Sequence, residues 1–136
     1  MLDIIKQAIK AATKSARGAA ARTSGYDAED AACAWLVKQG LRIVERNVRY
    51  TFGEIDIVAW HAEGDRTTLV LFEVRLRKNA RFGDAAASIT PRKQARLWAA
   101  GEAYAAQFKR PPPMRVDVLA YNGENTEPLW IKNALG

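Results

Sequence analysis

The residues best placed to do chemistry are carboxylates on two neighbouring apolar segments. In GEIDIVAW (53–60), alternation puts Glu54, Asp56, Val58 and Trp60 on one face of a strand and Ile55 and Ile57 on the other. In LVLFEVRLR (69–77), Phe72, Val74 and Leu76 share one face, and Leu69, Leu71, Glu73, Arg75 and Arg77 the other. Each segment has one wholly apolar face and a second that turns from apolar to charged along its length. A two-residue loop at Gly64-Asp65 is the simplest connection, because a leading glycine suits a type II′ turn. Glu63 then pairs with Arg66, Asp56 falls opposite Glu73, and Glu54 falls opposite Arg75. Opposed residues have Cβ atoms ~5 Å apart, and like charges so placed repel.

Two carboxylates held side by side suit a cation. Oxygen ligands without clustered His or Cys point to Mg²⁺ or Mn²⁺ and away from Zn²⁺. Such an ion activates water and neutralises charge developing on a phosphodiester. Arg75, next to Glu73 on the same face, adds a fixed cation. The same residues also fit a cross-strand salt lattice, with Glu54 paired to Arg75 and Asp56 or Glu73 to other basic side chains. His61, the single histidine, lies toward the hairpin turn and reads as structural. Trp60 and Trp98 sit at core spacing and read as packing.

The elements that must position these groups follow from periodicity. Residues 25–39 predict a helix through Ala28, Ala31, Ala32, Trp35 and Leu36, stopped by Gly40. Cys33 lies on it as a packing residue. Strands are expected over 41–50, 54–61, 67–77 and 114–121, with a short last one in PLWIK. Thr51-Phe52-Gly53 and Asn122-Gly123 predict turns. Thr90 and Pro91 start a second helix as N-cap and first residue. It runs to about Lys109, with Ala95, Trp98, Ala99 and Tyr104 among its apolar positions, and the prolines at 111–113 end it. The order is α-β-β-β-α-β-β, a mixed α/β layer structure.

Of 136 residues, 49% are hydrophobic, enough for one domain with a real core. Cys33 has no partner for an internal disulfide, which fits a reducing, cytoplasmic compartment. No apolar run approaches the ~20 residues of a membrane helix. The net charge of +6 is uneven. Residues 1–24 carry five basic side chains and one acid and are expected to be a basic, flexible extension before a domain over 25–136. Residues 75–96 hold Arg75, Arg77, Lys78, Arg81, Arg92, Lys93 and Arg96 against the single acid Asp84. A local excess of that size suits a polyanion, although a solvated loop and helix face would also show it.

In order, GYDAEDAACAWLVKQG, ERN, GEIDIVAW, LFEVRLR, FGDAAASITPRKQARL and MRVDVLA resemble the bacterial YraN-like family, over roughly residues 24–121. That family is similar to Holliday-junction resolvases. The resemblance implies a restriction-endonuclease-like three-layer core, a mixed sheet flanked by helices, with a PD-(D/E)xK site. It implies metal ligands at Asp56 and Glu73, a helix acid at Glu29, and an auxiliary acid at Glu54. It places contacts to the DNA backbone at Lys93, Gln94 and Arg96. Arg77, Lys78 and Arg92 from the basic strip join them as expected DNA contacts. It gives no role for Arg115 and Asp117. The family pattern has Lys two residues after the glutamate, where Arg75 stands here. Lys can lose its proton when buried and Arg effectively cannot. Either the metal alone activates water, or Lys93 reaches the site from its helix, or activity is lost and DNA binding remains. The expectation is a metal-dependent endonuclease on double-stranded or branched DNA, with no membrane association and compatible with a homodimer. The alternatives are a catalytically weakened DNA-binding module of the same fold and a partner-binding protein without a nucleic-acid role.

Overall fold

The computed structural model describes residues 26–77 and 89–135. The expected extension over 1–24, and Lys78, Arg81 and Asp84, lie outside them.

The element order is the expected one: α1 (Ala28–Lys38), β1 (Arg42–Tyr50), β2 (Gly53–Glu63), β3 (Arg66–Leu76), α2 (Pro91–Ala105), β4 (Met114–Tyr121) and β5 (Leu129–Ile131). The five strands form one sheet in sequence order. Every neighbouring pair is antiparallel except β3 and β4, which are parallel and linked through α2. A parallel pair needs such a crossover, and this one carries α2 to one face of the sheet while α1 covers the other. On the α1 face, Ala32 and Leu36 pack on Ile57, Ala59, Val70, Phe72 and Leu119. On the α2 face, Leu97, Ala100 and Tyr104 pack on Val48, Ile55, Val58, Leu69, Leu71 and Val116.

Local chemistry explains the starts of both helices. Asp27 caps α1, accepting from the amides of Glu29 (2.9 Å) and Asp30 (3.4 Å). Thr90 caps α2, accepting from Lys93 N at 3.2 Å, with Pro91 in the first turn. The phase of α2 differs from the expected one. Its inward face is Leu97, Ala100, Gly101, Tyr104 and Ala105, while Ala95 is exposed and Trp98 is 41% exposed. Alanines all round the helix leave the periodicity degenerate, so Trp98 is not core. Trp60 does pack, edge-on to Phe108 at 5.9 Å. The helix ends four residues before Lys109, and seven residues (122–128), not a tight turn, join β4 to β5.

The β2–β3 hairpin has the expected register, with Glu63 opposite Arg66. Gly64 has φ 59° and Asp65 is not in the positive-φ region, as a type II′ turn requires. The expected faces of β2 need correction. Ile57 packs toward α1 but Ile55 packs toward α2. Between them, the pairing of β1 with β2 skips the step Asn47–Asp56, and Asn47 has φ 52°. Asparagine tolerates that left-handed conformation. The break reverses the side-chain alternation of both strands at one level.

Candidate active site

That break coincides with a fork in the sheet. Pairing of β2 with β3 runs from the hairpin to Ile57–Phe72 and stops. Beyond it, β2 pairs only with β1, and β3 pairs with β4 from Glu73–Val118 to Leu76–Tyr121. Asp56 and Glu73 are the next residues past the last rung. They are therefore adjacent at the fork, not opposed within a ladder. Asp56 turns into the gap and accepts from the Val74 amide at 2.8 Å, occupying the place of a missing strand bond.

The fork gathers three acids. Asp56 lies within hydrogen-bonding reach of Glu73 on one side and of Glu29, from the first turn of α1, on the other. Burial is the main cause that raises the carboxyl of Asp56, and the charge of Glu73 adds to it; the Val74 amide opposes both. Burial also raises Glu73, against its hydrogen bond to Asp56 and the charges of Arg75 and Lys93. Glu29 is pushed up to about 7, by burial first and then by Asp56 and Asp27, despite Arg46. Glu29 is expected from the resemblance alone, because a helix acid carries no sign of its neighbours. Its partner Arg46, at 3.8 Å from Glu29 and 2.7 Å from Asp30, was not anticipated.

Basic side chains surround the acids unevenly. Arg75 Nε lies 3.4 Å from Glu73 Oε1, an ion pair by distance without hydrogen-bond alignment. Glu54 pairs with Arg49 at 3.8 Å and not with Arg75, because the strands have already separated. Among the described residues no basic side chain pairs with Asp56, so a salt lattice accounts for Glu54 and Glu73 only. A cleft of about 300 Å³ opens on the α2 side, lined by Glu54 and Glu73 from the strands and Lys93 and Arg96 from the helix. Tyr50, Gly53, Ile89 and Leu97 complete it. Tyr50 and Ile89 were not among the expected site residues; both read as ordinary apolar positions in sequence. Gln94 turns back to donate to Ile89 O at 3.1 Å. Arg92 and Arg77 are exposed and do not line the cleft.

A Cβ on Gly53 would meet the backbone carbonyl of Arg96, so the start of β2 lies directly against α2. This contact brings Lys93 and Arg96 to the carboxylates. Among the described residues no three His, Cys, Asp or Glu side chains converge closely enough to hold a metal by themselves. Asp56 and Glu73 could supply two oxygen ligands, which suffices for Mg²⁺ when water and phosphate supply the rest.

The expected homology is borne out by comparison. The family model described as "Uncharacterised protein family UPF0102" matches residues 28–121. The chain belongs to the UPF0102 family. UPF0102, the YraN-like family, includes a protein of Herminiimonas arsenicoxydans that is 47% identical over 111 residues, covering 82% of this chain and 85% of that one. A UPF0102 protein of Cupriavidus metallidurans is 48% identical over 120 residues, covering 88% and 86%. One from Klebsiella pneumoniae is 39% identical over 128 residues, covering 92% and 95%. The UPF0102 match spans all the acids of the fork and the lining of the cleft.

Arg115 and Asp117, unassigned from sequence, do not line the cleft, although Asp117 stands beside Phe72, the last rung before the fork. Asp117 is fully buried and accepts from Arg115 Nε (2.9 Å), Trp130 Nε1 (2.8 Å) and the Asn133 amide (2.9 Å). Arg115 reaches His61 Nδ1 at 2.9 Å and Glu63 at 3.2 Å. A guanidinium only donates, so Nδ1 is the acceptor and the histidine is neutral. Glu63, 3.2 Å from the same nitrogen, is then bridged to it by Arg115. His61 thus sits in this polar cluster and does not line the cleft. Among the described residues no helix is long and apolar enough to cross a membrane.

Proposed function

We propose that this protein is a metal-dependent DNA endonuclease that works on branched or otherwise structured DNA. One observation carries the reading: two half-buried carboxylates, Asp56 and Glu73, lie at a fork in the sheet that opens beside a cleft bearing Lys93 and Arg96. Like charges at such a place are costly unless protonated or bridged by a cation. Asp56 and Glu73 are the ligands for Mg²⁺ or Mn²⁺, and a bound ion would supply activation of water and neutralisation of phosphodiester charge. Glu29 holds Asp56 in place from α1. Lys93 and Arg96 receive the phosphate backbone, with Arg92, Arg77 and Lys78 as further contacts along the strand. Gln94 orders the start of α2 through Ile89.

Arg75 keeps a positive charge at the position of the family lysine and cannot take up a proton. Among the described residues, Lys93 is the lysine that lines the cleft with Glu73. A second reading is a DNA-binding module with weakened catalysis. The Arg75–Glu73 ion pair favours it, because that contact competes with a metal for Glu73. Incubating the full chain with linear duplex and four-way branched DNA, with Mg²⁺ or Mn²⁺ and with chelator, tests both. Metal-dependent strand cleavage lost in Asp56→Asn and Glu73→Gln supports the nuclease. Binding without cleavage at any metal concentration supports the second reading.

A further inference from the structure

The β1–β2 turn carries an aromatic pair whose outer ring, Phe52, belongs to neither the core nor the cleft. Tyr50 and Phe52 stack with ring centroids 5.2 Å apart and planes 10° from parallel. Tyr50 is half-buried, lines the cleft beside Glu54 and Glu73, and accepts a hydrogen bond from Gln107 Nε2 at 3.0 Å. Phe52 is 44% exposed, although the turn needs only a small or polar residue there. Gly53, against the Arg96 backbone, holds the turn beside α2. A rigid aromatic pair thus extends from the wall of the cleft into solvent.

Resting on the nuclease reading, we propose that the Tyr50–Phe52 pair is a stacking platform for an unpaired nucleobase of the strand whose phosphate enters the cleft. One exposed ring is far too small an area for a protein interface, which needs roughly 1,000 Å². It does match the face of one base, and every base can stack on it whatever the sequence. Lys93 and Arg96 in the adjoining cleft supply the charge that a nucleotide's phosphate requires. In an intact duplex both faces of a base are covered by its neighbours, so the ring can be used only where a base is splayed out. The platform therefore selects DNA with an unpaired nucleotide at a branch, fork or end.

The test is binding, kept apart from cleavage by working in chelator. Fluorescence anisotropy would compare a forked DNA with a duplex of the same length, using the full chain and Phe52→Ala, Phe52→Leu and Phe52→Trp. A 2-aminopurine at the unpaired position next to the fork reports stacking by quenching. The parent should prefer the fork and quench the probe. Phe52→Ala and Phe52→Leu should lose roughly 5- to 100-fold on the fork, little on the duplex, and most of the quenching, while Phe52→Trp retains all three. A Phe52→Leu variant that matches the parent, or an equal loss on fork and duplex, would overturn the proposal while leaving DNA binding intact. A parent chain that binds neither DNA would instead remove the nuclease reading, and this proposal with it.

Discussion

At the scale of the residue, the acids of the fork set the chemistry through their protonation. Glu29 is pushed up to about 7, and Asp56 and Glu73 are raised in the same direction. A carboxyl raised in the fold binds more protons folded than unfolded, so its cost to stability grows as pH rises from the ordinary carboxylate range toward 7. Glu29→Gln should therefore stabilise the metal-free protein at pH 8, by on the order of 1 kcal/mol given its partial exposure, and do little at pH 4. Urea unfolding at the two pH values checks this; an equal effect at both would refute it. Metal ligands must be deprotonated, so Mn²⁺ affinity should rise between about pH 5 and 7 and binding at pH 6 should release protons. Calorimetry in two buffers of different ionisation enthalpy measures that release, and a null result would count against Asp56 and Glu73 as ligands. Arg75 is the third residue to probe. If its charge is what matters, Arg75→Lys should cleave DNA nearly as well as the parent. Arg75→Ala should then lose about 10²–10³-fold, as for other fixed electrostatic contacts. A clear gain in Arg75→Lys would show that the site lacks a base.

Elements determine which of those residues meet. The hairpin register was legible because Gly64-Asp65 leaves few alternatives, and a glycine that accepts φ 59° was in the right place. The adjacency of Asp56 and Glu73 followed from counting along it. The fork was not legible, because a strand's alternation says nothing of where its partner leaves it. Ile55 and Ile57 look alike in GEIDIVAW yet face opposite helices. The only local sign is Asn47, a residue tolerant of the left-handed region in an otherwise β-branched and charged strand. The inward face of α2 was hidden for a related reason: six of its fifteen residues are Ala or Gly, which bury or face water with little difference. Close packing of β2 on α2 is a separate requirement, and it rests on Gly53. Its missing Cβ is replaced by the backbone of Arg96, which cannot rotate away as a side chain can. Gly53→Ala should cost about 1–3 kcal/mol by overpacking and move Lys93 and Arg96 away from Glu73. Urea denaturation together with DNA affinity measures both effects. An alanine variant of parental stability would mean that the helix slides freely.

At the scale of the whole molecule, two neighbouring clusters on the sheet do opposite things, since Asp117 pairs with Phe72, the last rung before the fork. At the fork, strands separate and carboxylates crowd. Around Asp117, strands and the C-terminal segment are tied together by one buried acid with three donors. The two clusters also answer pH with opposite sign. The fork loses stability as pH rises. His61, lowered first by burial, is held neutral under Arg115, so the stability it contributes is present above its unfolded value of about 6.5 and is lost as pH falls. Asp117 therefore has a different part from the other acids, although nothing in MRVDVLA marks it as such. It has no place in the cleft, and its replacement should act on folding alone. Asp117→Ala leaves the half-buried Arg115 without its carboxylate and orphans Trp130 Nε1 and the Asn133 amide. Breaking a buried pair in this way typically costs roughly 3–5 kcal/mol. Asp117→Asn keeps one acceptor oxygen and should cost clearly less. Where the variants remain folded, below their transitions, Mn²⁺ affinity and DNA binding should match the parent, because no donor of Asp117 touches the fork. Thermal unfolding paired with metal titration at low temperature separates the two quantities. A loss of Mn²⁺ binding by folded Asp117→Asn would show that the two clusters are coupled.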